Sequence, residues 1–271
     1  MSEYFSDTAR DPIEKFTWQF ILCEEKGDTL SILLNNPARR NALNPIMLNE
    51  LAYALAYADQ KPSIRFARLR GEGPVFCAGA DLRSTLEGIE STSTVPQAAK
   101  PIILDELFSA FRKPLVIELD GDVIAGGLLL VTGATFVVAH SGVRFSLPEV
   151  RRGLFPFQVM KALSTFMPAR VALNWCLTGE EKTAAELYAY GLISYLVQKP
   201  EEVAPKADSL VETLREGAPL AMQYGIRAYR ELGSLSHAQL HALLLDLMQT
   251  EDAREGILAF KEKRKAQWKG R

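Results

Sequence analysis

Hydrophobic and polar positions along the first two thirds of the chain predict strands and helices in alternation. An opening hairpin is expected from 16–25 and 28–36, two runs of aromatic and aliphatic residues joined by a turn at Lys26-Gly27. Asn44-Pro45 marks a helix start, because asparagine caps the free amides of a first turn and proline fits its first position. Further strands are predicted at 64–71, 115–121, 135–140 and 143–147. This alternation predicts an α/β core.

Beyond Pro168 the pattern becomes mostly helical. A short strand, LISYLV, interrupts it. Helices are expected at 169–177, 183–190, 202–216, 218–230 and, as one long helix, 236–264. We therefore divide the chain into a core over 1–198 and a C-terminal helical region over 199–271.

Composition narrows the class of protein. With 271 residues, 48% hydrophobic and 24% charged, the chain has the composition of a soluble globular protein. A formal net charge of -2 gives no general attraction for nucleic acid, so no nucleic-acid partner is expected. Three separated cysteines among apolar residues favour buried thiols in a reducing compartment, and hence a cytoplasmic location. No apolar run reaches membrane-spanning length and the N-terminus lacks a signal-peptide pattern, so no membrane association is expected.

Two glycine-bearing turns, GPVFCAGAD at 73–81 and GDVIAGGLL at 121–129, each follow a predicted strand. If these strands are parallel neighbours, backbone N–H groups of the two turns converge, and such a pair would hold a developing oxyanion. Loss of one such donor costs on the order of 3 kcal/mol of transition-state stabilisation. The alternative is that the glycines only form tight turns.

Glu149 follows Pro148 in the apolar stretch VRFSLPEV. Partial desolvation would raise the pKa of this carboxyl group and make it a proton carrier near neutrality. The alternative roles are a helix cap or an ion pair with Arg151 or Arg152.

Two further acids, Glu118 and Asp122, would supply a second acid–base group if they pointed into the same site. Strand alternation places Val116 and Glu118 on one face, so Glu118 is expected at the surface or paired with an arginine. His237 and His241 lie one helical turn apart without a third ligand, so no metal site is expected.

Three motifs resemble the crotonase, or enoyl-CoA hydratase/isomerase, superfamily in order and spacing: FCAGADL at 76–82, DG-x-x-x-AGG at 120–127 and FSLPEVRRGLFP at 145–156. The resemblance extends from PARRNALN at 37–44 to the C-terminal FKEKRKAQWKGR. It implies a spiral of repeated ββα turns, a C-terminal helical region that mediates trimer formation, and binding of an acyl-CoA thioester. The implied assembly is a homotrimer or a dimer of trimers. No cofactor is implied, since coenzyme A is carried as part of the substrate.

The resemblance also implies roles for individual residues. The backbone N–H groups of Ala80 and Gly126 would form the oxyanion hole for the thioester carbonyl, and Glu149 would act as general base and acid. Contacts to CoA would come from Arg39, Arg40, Ala78, Arg83, Phe260 and Lys263, the last two reaching the CoA of a neighbouring subunit. For the basic residues the alternative is a solvated surface charge.

Leu129 stands where hydratases of this family carry the first of two glutamates. Addition of water needs one group to orient the water and another to deliver a proton, and a leucine side chain does neither. The resemblance therefore favours isomerisation of an enoyl-CoA double bond, with one glutamate carrying a proton between carbons α and γ. Hydratase, decarboxylase or thioesterase chemistry on the same fold, and a non-catalytic acyl-CoA-binding scaffold, are the alternatives.

Overall fold

The computed structural model describes residues 3–5 and 11–271. Part of the N-terminal segment, for which no signal peptide is expected, therefore lies outside the described residues. The strands of the described chain are β1 (Ile21–Lys26), β2 (Thr29–Leu34), β3 (Phe66–Gly71), β4 (Val75–Cys77), β5 (Leu115–Leu119), β6 (Asp122–Ile124), β7 (Phe136–His140), β8 (Arg144–Ser146), β9 (Glu181–Thr183) and β10 (Tyr195–Val197). The α-helices are α1 (Pro45–Gln60), α2 (Leu82–Glu87), α3 (Leu104–Ala110), α4 (Leu128–Gly133), α5 (Phe157–Leu163), α6 (Ala169–Thr178), α7 (Ala184–Ala189), α8 (Val203–Arg215), α9 (Pro219–Arg230), α10 (His237–Met248) and α11 (Glu251–Glu262).

Two sheets organise the core. The larger has the order β1-β2-β3-β5-β7-β10 and the smaller the order β4-β6-β8-β9. β1 and β2 form the predicted antiparallel hairpin, whereas β2, β3, β5, β7 and β10 run parallel. In the smaller sheet β4, β6 and β8 run parallel, and β9 joins β8 antiparallel.

The chain passes from the larger sheet to the smaller sheet three times. β3, β5 and β7 belong to the larger sheet, and each is followed directly by a strand of the smaller sheet. These corners bring backbones close together: a Cβ on Gly121 would lie 2.9 Å from the Phe76 nitrogen, so a larger residue does not fit there. Each strand pair then leads into a helix, which gives the ββα repeat that the resemblance implies.

Helix α1 forms where its cap was predicted. The Asn44 side chain accepts a hydrogen bond from the Met47 amide at 2.9 Å, and Pro45 occupies the first helical position. Most of the helix is buried, including Glu50, whose carboxylate accepts hydrogen bonds from the amides of Gln19 at 2.6 Å and Phe20 at 2.9 Å. The buried helix thus anchors the chain just before β1.

The C-terminal region is helical, but its helices differ in how much they bury. Helix α8 packs Val203, Ala207 and Leu210 against the outer face of the larger sheet, whereas α9 and α10 have no buried residue. The single helix predicted at 236–264 is wrong. The chain leaves the helical conformation at Thr250, whose hydroxyl accepts a hydrogen bond from the Ala253 amide at 3.1 Å and starts α11.

Candidate active site

Three parallel neighbours, β4, β6 and β8, end at the same edge of the smaller sheet. Val123 of β6 pairs with Cys77 on one side and with Phe145 on the other, which fixes the relative register of the three strands. Ala80, Gly126 and Glu149 each follow the end of one of these strands within three residues. Because the carboxyl ends of parallel strands meet at one edge, the three predicted site residues come from three adjacent loops of one edge.

The two glycine-bearing turns are in direct contact. A Cβ on Gly126 would lie 3.7 Å from the Ala80 nitrogen, and a Cβ on Gly79 would lie 2.7 Å from the Gly126 nitrogen. Gly79 also has a φ of 80°, in the left-handed region that favours glycine. The predicted convergence of the two backbones is therefore present.

The surrounding pairing leaves the Ala80 amide out of the ladder. Leu43 bridges to Ala80, but the hydrogen bonds of this bridge join the Leu43 amide to the Gly79 carbonyl at 2.7 Å and the Asp81 amide to the Leu43 carbonyl at 3.0 Å. Ala125, just before Gly126, has a φ of 54°. A non-glycine residue in this conformation is strained, and such strain is frequent at functional sites.

Glu149 lies on a short 3-10 helix, Pro148–Arg152, that packs against the end of α6. Its Oε2 is buried and accepts no hydrogen bond from any residue that the structure describes. Burial raises the pKa of Glu149, and its own backbone amide and Arg152 lower it by less. Neither Arg151 nor Arg152 forms an ion pair with it within the described chain. The carboxylate is thus held in a poorly solvated place with one oxygen unpartnered.

A cavity of about 620 Å³ adjoins the Ala80 turn. We call it the arginine cavity, because its lining includes Arg39, Arg40, Ala78, Ala80, Arg83 and Arg152. Four of the residues predicted to contact CoA, namely Arg39, Arg40, Ala78 and Arg83, line this one cavity. Arg152 also lines the arginine cavity, because it lies one turn beyond Glu149 on the same 3-10 helix. The sequence indicates Arg152 only as an ion-pair partner of Glu149.

One of these arginines already has a partner. Arg39 donates to the carboxylate of Asp81 at 3.0 Å and 3.3 Å, and Asp81 is only 7% exposed. Burial alone would raise the pKa of Asp81, but hydrogen bonds from Ser84 and Arg39 outweigh burial and lower it. Asp81 also caps α2, so the pair fixes the loop that carries Ala80.

A second cavity, of about 640 Å³, lies beyond Leu129. We call it the Leu129 cavity; its lining includes Asp105, Phe108, Leu129, Thr132, Phe166 and Arg230. Leu129 is one helical turn beyond Gly126, and Gly126 touches the Ala80 turn of the arginine cavity. The Gly126 turn therefore contacts the wall of the arginine cavity at Ala80 and leads, through α4, to the wall of the Leu129 cavity.

Comparison with known proteins assigns the family. The sequence profile described as Enoyl-CoA hydratase/isomerase matches residues 24–271. The chain belongs to this family. It is 32% identical over 257 residues to the enoyl-CoA hydratase EchA19 of Mycobacterium tuberculosis, covering 92% of this chain and 96% of the relative. It is also 32% identical over 257 residues to the 2,3-dehydroadipyl-CoA hydratase of Escherichia coli, covering 93% and 99%.

Solved structures agree with the family assignment. An enoyl-CoA hydratase/isomerase from Mycobacterium paratuberculosis superimposes with a TM-score of 0.80 at 30% identity, covering 94% of this chain and all of the other. The enoyl-CoA hydratase EchA1 of Mycobacterium marinum gives 0.82 at 28% identity, covering 93% and 99%. The crotonase fold class expected from the sequence is confirmed, and the chain is an enzyme of the enoyl-CoA hydratase/isomerase type that acts on an acyl-CoA.

The two additional acids have other partners in this member of the enoyl-CoA hydratase/isomerase family. Glu118 is 5% exposed and accepts hydrogen bonds from Arg68 at 2.8 Å and 2.9 Å, on the face of the larger sheet that α8 covers. Asp122 accepts from the Arg144 amide at 2.9 Å, at the end of β6 opposite to Gly126. The predicted pairing of Glu118 with an arginine is confirmed, and both acids have structural partners.

Phe260 and Lys263, the two predicted CoA contacts at the C-terminus, are outside both cavities of the single chain. Phe260 is 87% exposed and Lys263 ends α11 with a φ of 56°.

Among the residues that the structure describes, no group of His, Cys, Asp or Glu could hold a metal ion. Within the same residues, every helix is too short or too polar to cross a membrane.

Proposed function

We propose that this chain isomerises the double bond of an enoyl-CoA with Glu149 as its one acid–base group. The observation that carries the proposal is the buried Oε2 of Glu149, which has no hydrogen-bond partner in the described chain, together with an apolar Leu129 instead of a second carboxylate. A carboxylate whose pKa is raised toward neutrality accepts and returns a proton efficiently.

The reaction follows from this arrangement. The Ala80 and Gly126 amides donate to the thioester oxygen of a 3-enoyl-CoA and stabilise negative charge there. Glu149 removes a proton from carbon α, and the electron pair of that C–H bond moves into a dienolate. The same carboxyl group then returns the proton to carbon γ, so the double bond moves from carbons β and γ to carbons α and β. No oxidant, reductant or water is consumed.

The remaining predicted contacts place the rest of the substrate. Arg40, Arg83 and Arg152 hold CoA phosphates in the arginine cavity, with Arg39 fixed by Asp81, and Ala78 lies at the same wall. The acyl chain leaves the oxyanion hole toward the Leu129 cavity. Salt-dependent, charge-assisted hydrogen bonds of arginine to phosphate supply affinity on the CoA side.

Assembly is part of the proposal. Exposed apolar side chains, including Leu244, Met248, Ile257 and Phe260, occupy α10 and α11. Such a surface is typical of a protein interface, which supports the homotrimer or dimer of trimers and the contact of Phe260 and Lys263 with a neighbouring subunit's CoA. A cytoplasmic location stays a prediction, since a relative from Danio rerio that is 29% identical is described as mitochondrial.

A second candidate function is hydration of a 2-enoyl-CoA. The names of the relatives from M. tuberculosis and E. coli favour it. Hydration then relies on a water held by a group other than residue 129.

Assays with trans-3-hexenoyl-CoA and trans-2-hexenoyl-CoA separate the two candidates. The proposal predicts conversion of the former with little hydration of the latter. Leu129→Glu should then raise the hydration rate, and Leu129→Gln, of the same length without the charge, should not. Fast hydration by the natural chain, unchanged in Leu129→Gln, would refute the isomerase proposal and support the hydratase.

A further inference from the structure

Arg230 places a guanidinium in the wall of the Leu129 cavity at the end of α9. Its Nη1 donates to the Ser109 carbonyl at 3.2 Å and to the Phe111 carbonyl, both at the end of α3. Within the part of the chain that the structure describes, Nε and Nη2 make no hydrogen bond and no carboxylate forms an ion pair with Arg230. The Arg230 guanidinium therefore has N–H donors in the cavity wall that no described residue accepts from.

The carboxylate that acts electrostatically on Arg230, that of Asp59, already has another partner. Asp59 influences Arg230 electrostatically, but its carboxylate accepts hydrogen bonds from the Arg112 side chain at 2.8 Å and from the Arg112 amide at 3.0 Å. Burial lowers the pKa of Arg230 to about 10, a value at which the guanidinium is still charged at neutral pH. A desolvated positive charge is thus left without full compensation.

The other charged residue of the cavity is Asp105, in the first turn of α3. Its side chain is exposed, whereas Arg230 contacts the opposite end of the same helix. These two ends are roughly 8 Å apart, at 1.5 Å per helical residue. Asp105 is hydrated and does not neutralise Arg230 directly.

We propose that the Leu129 cavity accepts acyl groups that carry a carboxylate at the end remote from the thioester, and that Arg230 binds this carboxylate. The inference rests on the proposed function, which places the thioester at Ala80 and Gly126 and directs the acyl chain past Leu129. A hydrocarbon tail would leave Arg230 desolvated without a partner, whereas a carboxylate accepts two parallel hydrogen bonds from a guanidinium. The polar wall residue Thr132 suits the same kind of ligand.

Calorimetry on the full chain tests the proposal with non-reacting thioesters. Adipyl-CoA and suberyl-CoA are compared with hexanoyl-CoA and octanoyl-CoA, which have the same chain lengths without the terminal carboxylate. The natural chain should bind one of the carboxylated ligands about tenfold more tightly than its neutral match. Arg230→Gln should abolish this preference and Arg230→Lys should keep part of it, since lysine retains the charge but not the planar fork.

The variant Asp105→Asn gives an independent test, in which the preference for the carboxylated ligand should rise instead of fall. Removal of its negative charge should increase the preference for the carboxylated ligand, and this result does not depend on the folding of the Arg230 variants. Equal affinity for both ligand types in the natural chain, or an equal loss for both in Arg230→Gln, would overturn the assignment while leaving the proposed function intact. Absence of binding by all CoA thioesters would instead contradict the proposed function, and the inference with it.

Discussion

A Cβ on Gly79 would lie 2.7 Å from the backbone nitrogen of Gly126, so the two glycine-bearing turns are packed as closely as their backbones allow. This contact brings together the loops that follow β4 and β6, and it places the Ala80 amide beside Gly126. The proposed oxyanion hole therefore depends on Gly79, a glycine that is not one of its two donors.

Gly79→Ala should therefore disable catalysis by displacing the Gly126 amide. We expect kcat to fall about 100-fold or more, the cost of losing one oxyanion donor. The matched control is Gly27→Ala: Gly27 also has a positive φ, 62°, but an added Cβ there meets nothing within 4 Å. Both variants carry backbone strain, so an equal loss of kcat in the two would contradict a specific role for the Gly79 contact.

Glu118→Gln separates structure from catalysis. The Glu118 carboxylate and the Arg68 guanidinium form a largely buried ion pair on the α8 side of the sheet. Removal of the Glu118 charge leaves the half-buried Arg68 guanidinium with only the exposed Asp208 as an acidic partner in the described chain, and we expect the free energy of unfolding to fall by about 2 kcal/mol. Denaturant unfolding measures this loss, and kcat of the folded variant should stay within about twofold of the natural value. A large fall in kcat with an unchanged free energy of unfolding would instead show that Glu118 takes part in catalysis.

Much of this architecture is predictable from the sequence because the signals are local. The hairpin, the Asn44 cap and the side of β5 on which Glu118 lies all follow from alternation and capping chemistry. The convergence of the two glycine-bearing turns needed one further assumption, that their strands are parallel neighbours, and that assumption holds.

Other features lacked a local signal. Strands β6 and β9 have only three residues each, too few for a period to show. The break at Thr250 was visible in principle, as a threonine followed by the acidic Glu251 and Asp252, but no glycine or proline stands there to end the predicted helix. Arg230 reaches the Leu129 cavity through tertiary packing of α9 against α3, which no spacing along the chain reveals.

Arg152→Gln should weaken CoA binding by about tenfold, since it removes one charge-assisted contact from the arginine cavity. The effect should shrink as salt is raised, because exposed charges are screened. Arg170→Gln, an exposed arginine outside both cavities, is the control. Titration of CoA at low and high ionic strength makes the comparison, and equal behaviour of the two variants would remove Arg152 from the binding site.

The raised pKa of Glu149 also predicts a pH-dependent change in stability. A buried carboxyl group with a raised pKa in the folded state binds its proton more tightly there than in the unfolded chain. Its favourable contribution is fully present below the ordinary pKa of glutamate and is lost as pH rises through the raised value. Glu149→Gln should therefore raise the Tm at neutral pH and have less effect near pH ~4.

The exposed Glu201→Gln serves as control for that experiment, since Glu201 is solvated in the folded chain. Its Tm difference from the natural protein should be small at both pH values. A Tm for Glu149→Gln that is lower at neutral pH than that of the natural protein would mean that the carboxylate stabilises the fold, and would argue against a poised base.

Exchange of the α-protons of hexanoyl-CoA with deuterated water is the most direct test of enolate formation by Glu149 at the Ala80 and Gly126 amides. It requires no particular acyl group or double bond, and mass spectrometry follows it. We expect measurable exchange by the natural protein, a loss of at least about 100-fold in Glu149→Gln, and unchanged affinity for CoA in that variant. Exchange that persisted in Glu149→Gln at the natural rate would show that Glu149 is not the base that forms the enolate.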